Sequence, residues 1–181
     1  MLNVKIYVTG TLKEQYYKDA IAEYKKRLSA YCKFEIIEYK EYKLPENPSE
    51  KQIAQALLAE GEKILADISP RAYKIAMCVE GKQLSSEEFA VKLDEIATSN
   101  GEVALIIGSS FGLSDALKRA CDMRMSVSKM TLTHQMMRVW LVEIISRCLS
   151  ISHGGKYHKL LKMRFDRWLR RIFCLFIIIF K

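Results

Sequence analysis

The sequence predicts an α/β fold in which helices cover both faces of a mainly parallel sheet. Short β-like apolar runs alternate with longer stretches of helical periodicity along the chain. Half of the 181 residues are apolar and the charged ones are well mixed, as in a globular protein. The length suits one compact domain with a sizeable core, and residues 1–159 show no internal repeat or low-complexity tract.

Val4 to Val8 reads as the first strand. A helix follows from about Lys13 to Ala30, with Tyr17, Ala20, Ile21, Tyr24 and Leu28 on one face. Phe34 to Tyr39 is a second strand, and Leu44 to Ser49, with two prolines, is a loop. Ser49 suits the N-cap of a helix running toward Ala66. Tyr73 to Val79 is a third, buried strand, and Ser85 or Ser86 caps a helix to about Thr98. Val103 to Ile107, Ser114 to Ala120, Met123 to Val127 and Thr133 to Leu149 then read as strand, short helix, strand and helix.

Charge excludes less than its total suggests. The net is +8, but Leu160 to Lys181 contributes +5 of it, which leaves +3 on residues 1–159. Basicity alone therefore does not make the body a nucleic-acid binder. The five cysteines form no CxxC pair, and Cys78 and Cys148 lie in apolar runs as buried free thiols would. No metal site is expected. Met1 leads straight into a strand-like run instead of a signal peptide, so a reducing, cytoplasmic setting is expected.

Three stretches could carry chemistry. Leu105 to Ser114 takes a buried strand through Gly108 and Gly112 into a helix, where the backbone can approach a ligand closely. The pattern is neither GxGxxG nor a P-loop. Ser126 to Arg138 is a loop of small and polar residues feeding a helix, on which His134 and Arg138 share one edge of an apolar stripe. Glu143 and Arg147, also four apart, suit a surface ion pair. Gly154 to Lys159 offers Tyr157 and His158 beside a cation, a set able to stack on a base and contact its edge. Taken singly, each is explained as well by ordinary structure: a tight turn, a solvated helix edge, an exposed loop.

Together the stretches resemble the RlmH family of SPOUT methyltransferases. The resemblance runs through Val8-Thr9-Gly10-Thr11-Leu12-Lys13, Glu23-Tyr24-Lys25-Lys26-Arg27-Leu28 and Gly81-Lys82-Gln83-Leu84-Ser85-Ser86-Glu87-Glu88. It continues through Ile107 to Ser114, Ser128 to Arg138 and Tyr157-His158-Lys159, in family order and spacing over residues 1–159. It implies a C-terminal trefoil knot, an exception to the rule against threading, and a two-fold homodimer. It also implies S-adenosylmethionine as cofactor and N3 of a pseudouridine in 23S rRNA of the assembled ribosome as methyl acceptor.

Carried onto this sequence, the cofactor contacts are Met77, Gly108, Val127, Ser128, Lys129, Met130, Thr131 and Leu132. Tyr157 and His158 would complete the active site across the dimer, and His134 and Arg138 would line the same cleft. His158 is then the expected base for the imide proton, and Arg138 the group that stabilises the developing anion.

Three departures stand out. Ser109 replaces the family's second glycine, which costs of order 1 kcal/mol if that position needs positive φ. Thr133 replaces a proline, where it can cap the helix. Glu143-Ile144-Ile145-Ser146-Arg147-Cys148 lacks the usual Gln and Tyr.

Residues 160–181 extend past the usual end as a basic amphipathic stretch with a nine-residue apolar run, well short of the roughly 20 residues that span a bilayer. An incidental extension is the preferred reading; contact with a membrane surface or RNA is the alternative. A non-catalytic RNA-binding relative that keeps the fold is the competing reading of the whole chain. A flavodoxin-like nucleotide-binding module is disfavoured, because the phosphate loop is missing and Tyr157-His158 would go unexplained.

Overall fold

The computed structural model describes residues 1–155. Tyr157, His158 and the expected extension 160–181 lie outside them. Ten elements follow in strict alternation: β1 (Leu2–Thr9), α1 (Gln15–Leu28), β2 (Cys32–Tyr39), α2 (Glu50–Asp67), β3 (Tyr73–Gln83), α3 (Ser86–Ser99), β4 (Glu102–Ile107), α4 (Asp115–Ala120), β5 (Met123–Ser126) and α5 (His134–Ser152). The strands form one all-parallel sheet in the order β2-β1-β4-β3-β5.

Alternate residues of the central strands feed two cores, because successive side chains point to opposite faces. Val4, Ile6, Val8 and Leu105 pack with Ile21 of α1, Leu93 of α3 and Leu141 of α5. Tyr7, Ala104 and Ile106 pack with Ile64 of α2 and Leu117 of α4. The expected two-faced α/β architecture is therefore present. Its helices start where capping chemistry allows. Ser49 forms a capping box with Gln52, and Ser85 forms one with Glu88, resolving the choice between Ser85 and Ser86. Thr133 caps α5 in the place of the family's proline, its Oγ1 accepting the Met136 N–H at 3.3 Å.

β3 differs most from expectation. It continues past Val79 to Gln83, and Met125 of β5 is matched first with Met77 and then with Lys82 across an irregular stretch. A Cβ on Gly81 would stand 2.5 Å from the Met125 carbonyl carbon, so only glycine admits this approach. At the other end, Gly154 (φ +73°) terminates α5, and the Gly155 N–H donates to the Ser150 carbonyl at 2.8 Å. The glycine pair that reads as a flexible loop is thus a helix stop.

Candidate functional site

A cavity of about 850 Å³ opens at the carboxyl ends of β3, β4 and β5, where parallel sheets bind ligands. Its floor is the turn after β4. There the Gly112 N–H donates to the Ser109 carbonyl at 3.0 Å, with Gly112 at φ +88°. A Cβ on Gly108 would lie 2.0 Å from the Gly112 carbonyl oxygen. The turn folds back on itself only because Gly108 has no side chain. Ser109 is buried without positive φ, so the strain feared for a serine at this position is absent.

The loop from β5 to α5 forms the opposite wall. Ser126 Oγ donates to the Ser128 carbonyl at 2.9 Å, and Ser128 Oγ accepts the Met130 N–H at 3.0 Å. These bonds fix the loop from within. Met77, Gly108, Val127, Ser128, Met130, Thr131 and Leu132, all expected as cofactor contacts, line the cavity together. Lys129 does not; it stands exposed outside the lining.

The lining has further contributors that were not among the expected site residues. Glu14, Tyr16 and Tyr17 come from the start of α1, and Phe111 from the β4 turn. Lys118 of α4 meets Glu80 of β3 at 2.7 Å and Asp115 at 3.4 Å. That pairing holds the ammonium protonated and the Glu80 carboxyl below its usual range. The rule that ligands sit at the ends of parallel strands, applied to β1 and β3 as well as β4 and β5, would have pointed to these residues.

His134, the first residue of α5, lines the cavity and is half-buried. Burial, followed by the charge of Arg138 one turn on, pushes its pKa down from the usual histidine value and so favours the neutral ring. Arg138, expected in the same cleft, instead stands behind it and is fully buried. Its Nη1 donates to Glu38 at 3.0 Å, and its Nη2 donates to the Thr9 and Gly10 carbonyls at 2.9 and 3.0 Å. Those bonds tie α5 to the ends of β1 and β2. Glu143 and Arg147 do form the expected pair on α5.

Cys148 is fully buried, its thiol pushed up to about 12 by desolvation, whereas Cys78 is half-buried in the cavity wall. Among the described residues no His/Cys/Asp/Glu cluster suits a metal ion, and no helix is long and apolar enough to cross a membrane.

The cavity joins a half-buried imidazole, a glycine turn with close backbone approach and a loop fixed by its own hydrogen bonds. Comparisons with known proteins identify the family. A family model described as predicted SPOUT methyltransferase matches residues 2–158. A protein of Leuconostoc mesenteroides named ribosomal RNA large subunit methyltransferase H is 46% identical over 159 residues, covering 87% of this chain and all of that one. A protein of the same name from Bacillus thuringiensis is 48% identical over the same coverage. Among solved structures, a probable methyltransferase from Bordetella pertussis superposes with a TM-score of 0.51 at 16% identity, over 82% of this chain and 96% of that one, a likeness of fold alone.

Proposed function

Since the chain belongs to the SPOUT methyltransferase family, we propose that it methylates N3 of a pseudouridine in 23S rRNA, acting on the assembled ribosome as a homodimer in the cytoplasm. The observation that carries this reading is the assembly of seven of the eight expected cofactor contacts around one cavity on the glycine turn.

S-adenosylmethionine supplies a methyl group already activated on a sulfonium. What the protein must add is alignment of that methyl with the attacking nitrogen, and removal of the imide proton. The backbone of Gly108 and of the 127–132 loop is placed to hold the adenosyl group. Gly108 lets the Gly112 backbone close over it as the floor, and two internal hydrogen bonds hold the loop. Lys129, exposed at the rim, is better suited to RNA phosphate than to the cofactor.

Residues 1–159 would act as the catalytic domain, closed by the family's trefoil knot, with 160–181 as an appended segment. Tyr157 and His158, outside the described residues, would complete the partner's cleft as substrate contacts. The non-catalytic alternative rests on Ser109 and on the altered 143–148 stretch of α5; the unstrained backbone of Ser109 removes the first of these grounds.

Labelled S-adenosylmethionine, incubated with ribosomes lacking the modification, tests the reading. Label mapped to a pseudouridine N3 is the expected result. Absence of transfer by folded, dimeric protein would sink it.

A further inference from the structure

The proton that leaves N3 needs an acceptor, and the cavity narrows the choice. The titratable groups in its lining are Glu14, Tyr16, Tyr17, Cys78, Glu80, Lys118 and His134. Glu80 and Lys118 neutralise each other at 2.7 Å, and Lys118 is held protonated. The Cys78 thiol is pushed up by burial, and the phenol of Tyr16 is raised further from the working range. Glu14 is exposed at the rim. The chain has three histidines. Of the two in the described residues, His153 lies away from the cavity, its ring tilted against Tyr31 at 4.9 Å and its Nδ1 at 2.8 Å from the Leu149 carbonyl. That leaves His134.

Its surroundings fit the task. Thr133 caps α5 and fixes the ring's point of departure. Gly10, at φ +87°, leaves the space beside it: a Cβ there would stand 3.9 Å from His134 Nε2 and 3.5 Å from Arg138 Nη2. The charged groups facing the ring come from three segments: Arg138 of α5, Glu41 beyond β2 and Lys13 ahead of α1. Arg138 cannot swing into the cavity without abandoning Glu38 and two backbone carbonyls.

We propose that His134, rather than His158, is the catalytic base, with Arg138 as a positioning residue that ties α5 to the ends of β1 and β2. The inference rests on the methyltransferase reading above. In the step, the N3–H bond breaks with its proton passing to the imidazole. The nitrogen's electron pair forms the N–CH₃ bond as the sulfonium carbon–sulfur bond breaks, and the sulfur keeps that pair. The products are N3-methylpseudouridine, S-adenosylhomocysteine and an imidazolium that returns its proton to water.

The test is single-turnover methyl transfer to ribosomes lacking the modification, from about pH 5.5 to about pH 8.5, with wild type, His134→Gln, His134→Asn and His158→Gln, the general-base contribution being of order 100- to 10,000-fold. The wild-type rate is expected to fall with acid below pH 6.5 and to level off above it. Both His134 variants are expected to slow by that factor at pH 7 and to lose the acid limb, their rate rising with hydroxide. Cofactor affinity, read by calorimetry on the same preparations, is expected to stay within about threefold, which also reports that the variants are folded; the figure is under 1 kcal/mol. His158→Gln is expected to keep the acid limb, even where its rate or substrate KM changes. Two results overturn the inference alone while wild type methylates N3: an acid limb retained in the His134 variants, or one lost in His158→Gln. Wild type that places no methyl on pseudouridine removes the functional reading and this inference with it.

Discussion

Replacing Gly108 with alanine isolates the feature on which the cavity floor depends. The added Cβ would stand 2.0 Å from the Gly112 carbonyl oxygen and 2.4 Å from its carbon, both backbone atoms that cannot rotate aside. Ordinary contact begins at 3.4 Å, so the turn has to open by about 1.4 Å. Overpacking of this kind costs roughly 1–3 kcal/mol, which for a domain of this size lowers Tm by roughly 2–12 °C. Cofactor binding is expected to suffer at least as much, since the displaced backbone is the floor itself; a loss of about tenfold corresponds to about 1.4 kcal/mol. Calorimetric Kd and thermal melts on the same protein measure both. Two controls separate crowding from backbone conformation. Gly112→Ala has open space around it but φ of +88°, so it should show only the left-handed penalty of about 1–2 kcal/mol. Ser109→Gly relieves no strain, so it should not raise Tm; loss of the Ser109 hydrogen bond to Glu60 should lower it modestly. A Gly108→Ala protein with wild-type Kd and Tm would refute the argument, because the turn would then be shown to yield freely.

Arg138→Met should destabilise by roughly 2–4 kcal/mol in urea titrations, because Glu38 and two buried carbonyls lose their donor; an unchanged midpoint would mean that water replaces the guanidinium at no cost. Gly81→Ala should cost roughly 1–3 kcal/mol and raise hydrogen exchange at Met125, whose backbone the new Cβ would meet at 2.5–2.6 Å; equal protection would contradict the close approach. His134 should make stability pH-dependent in a stated direction. Its folded pKa lies below 6.5, so above pH 6.5 both states hold a neutral ring, while below it the unfolded chain takes up the proton first and stability is lost as pH falls. His134→Gln should flatten that part of the urea-midpoint profile, and an identical slope would assign the dependence to other groups.

The element pattern was legible because each strand and helix obeys its own period and its own cap. Ser49, Ser85 and Thr133 mark helix starts within a residue. What the sequence hid depends on contacts between distant positions. Arg138 reads as a cleft residue from its spacing to His134, yet its partner Glu38 lies 100 positions away and its carbonyl partners farther still. No local pattern announces a buried guanidinium. The extension of β3 to Gln83 was hidden for a related reason: Glu80-Gly81-Lys82 has the composition of a turn, and only the backbone of Met125 makes it a strand. In the site, the loop residues carried over from the family came together, while the contributions of α1 and α4 needed the strand order that brings their ends to the same edge.

The double matching of Met125, to Met77 and again to Lys82, bears on how the protein opens. β5 is an edge strand of four residues, which by length alone would be the first part of the sheet to fray. Here it cannot detach without undoing the bend of β3, and that bend carries Met77 and Glu80 of the cavity wall. Fraying of this sheet edge would therefore disturb the cavity wall with it, and a ligand held in that wall would act as a clasp on β5.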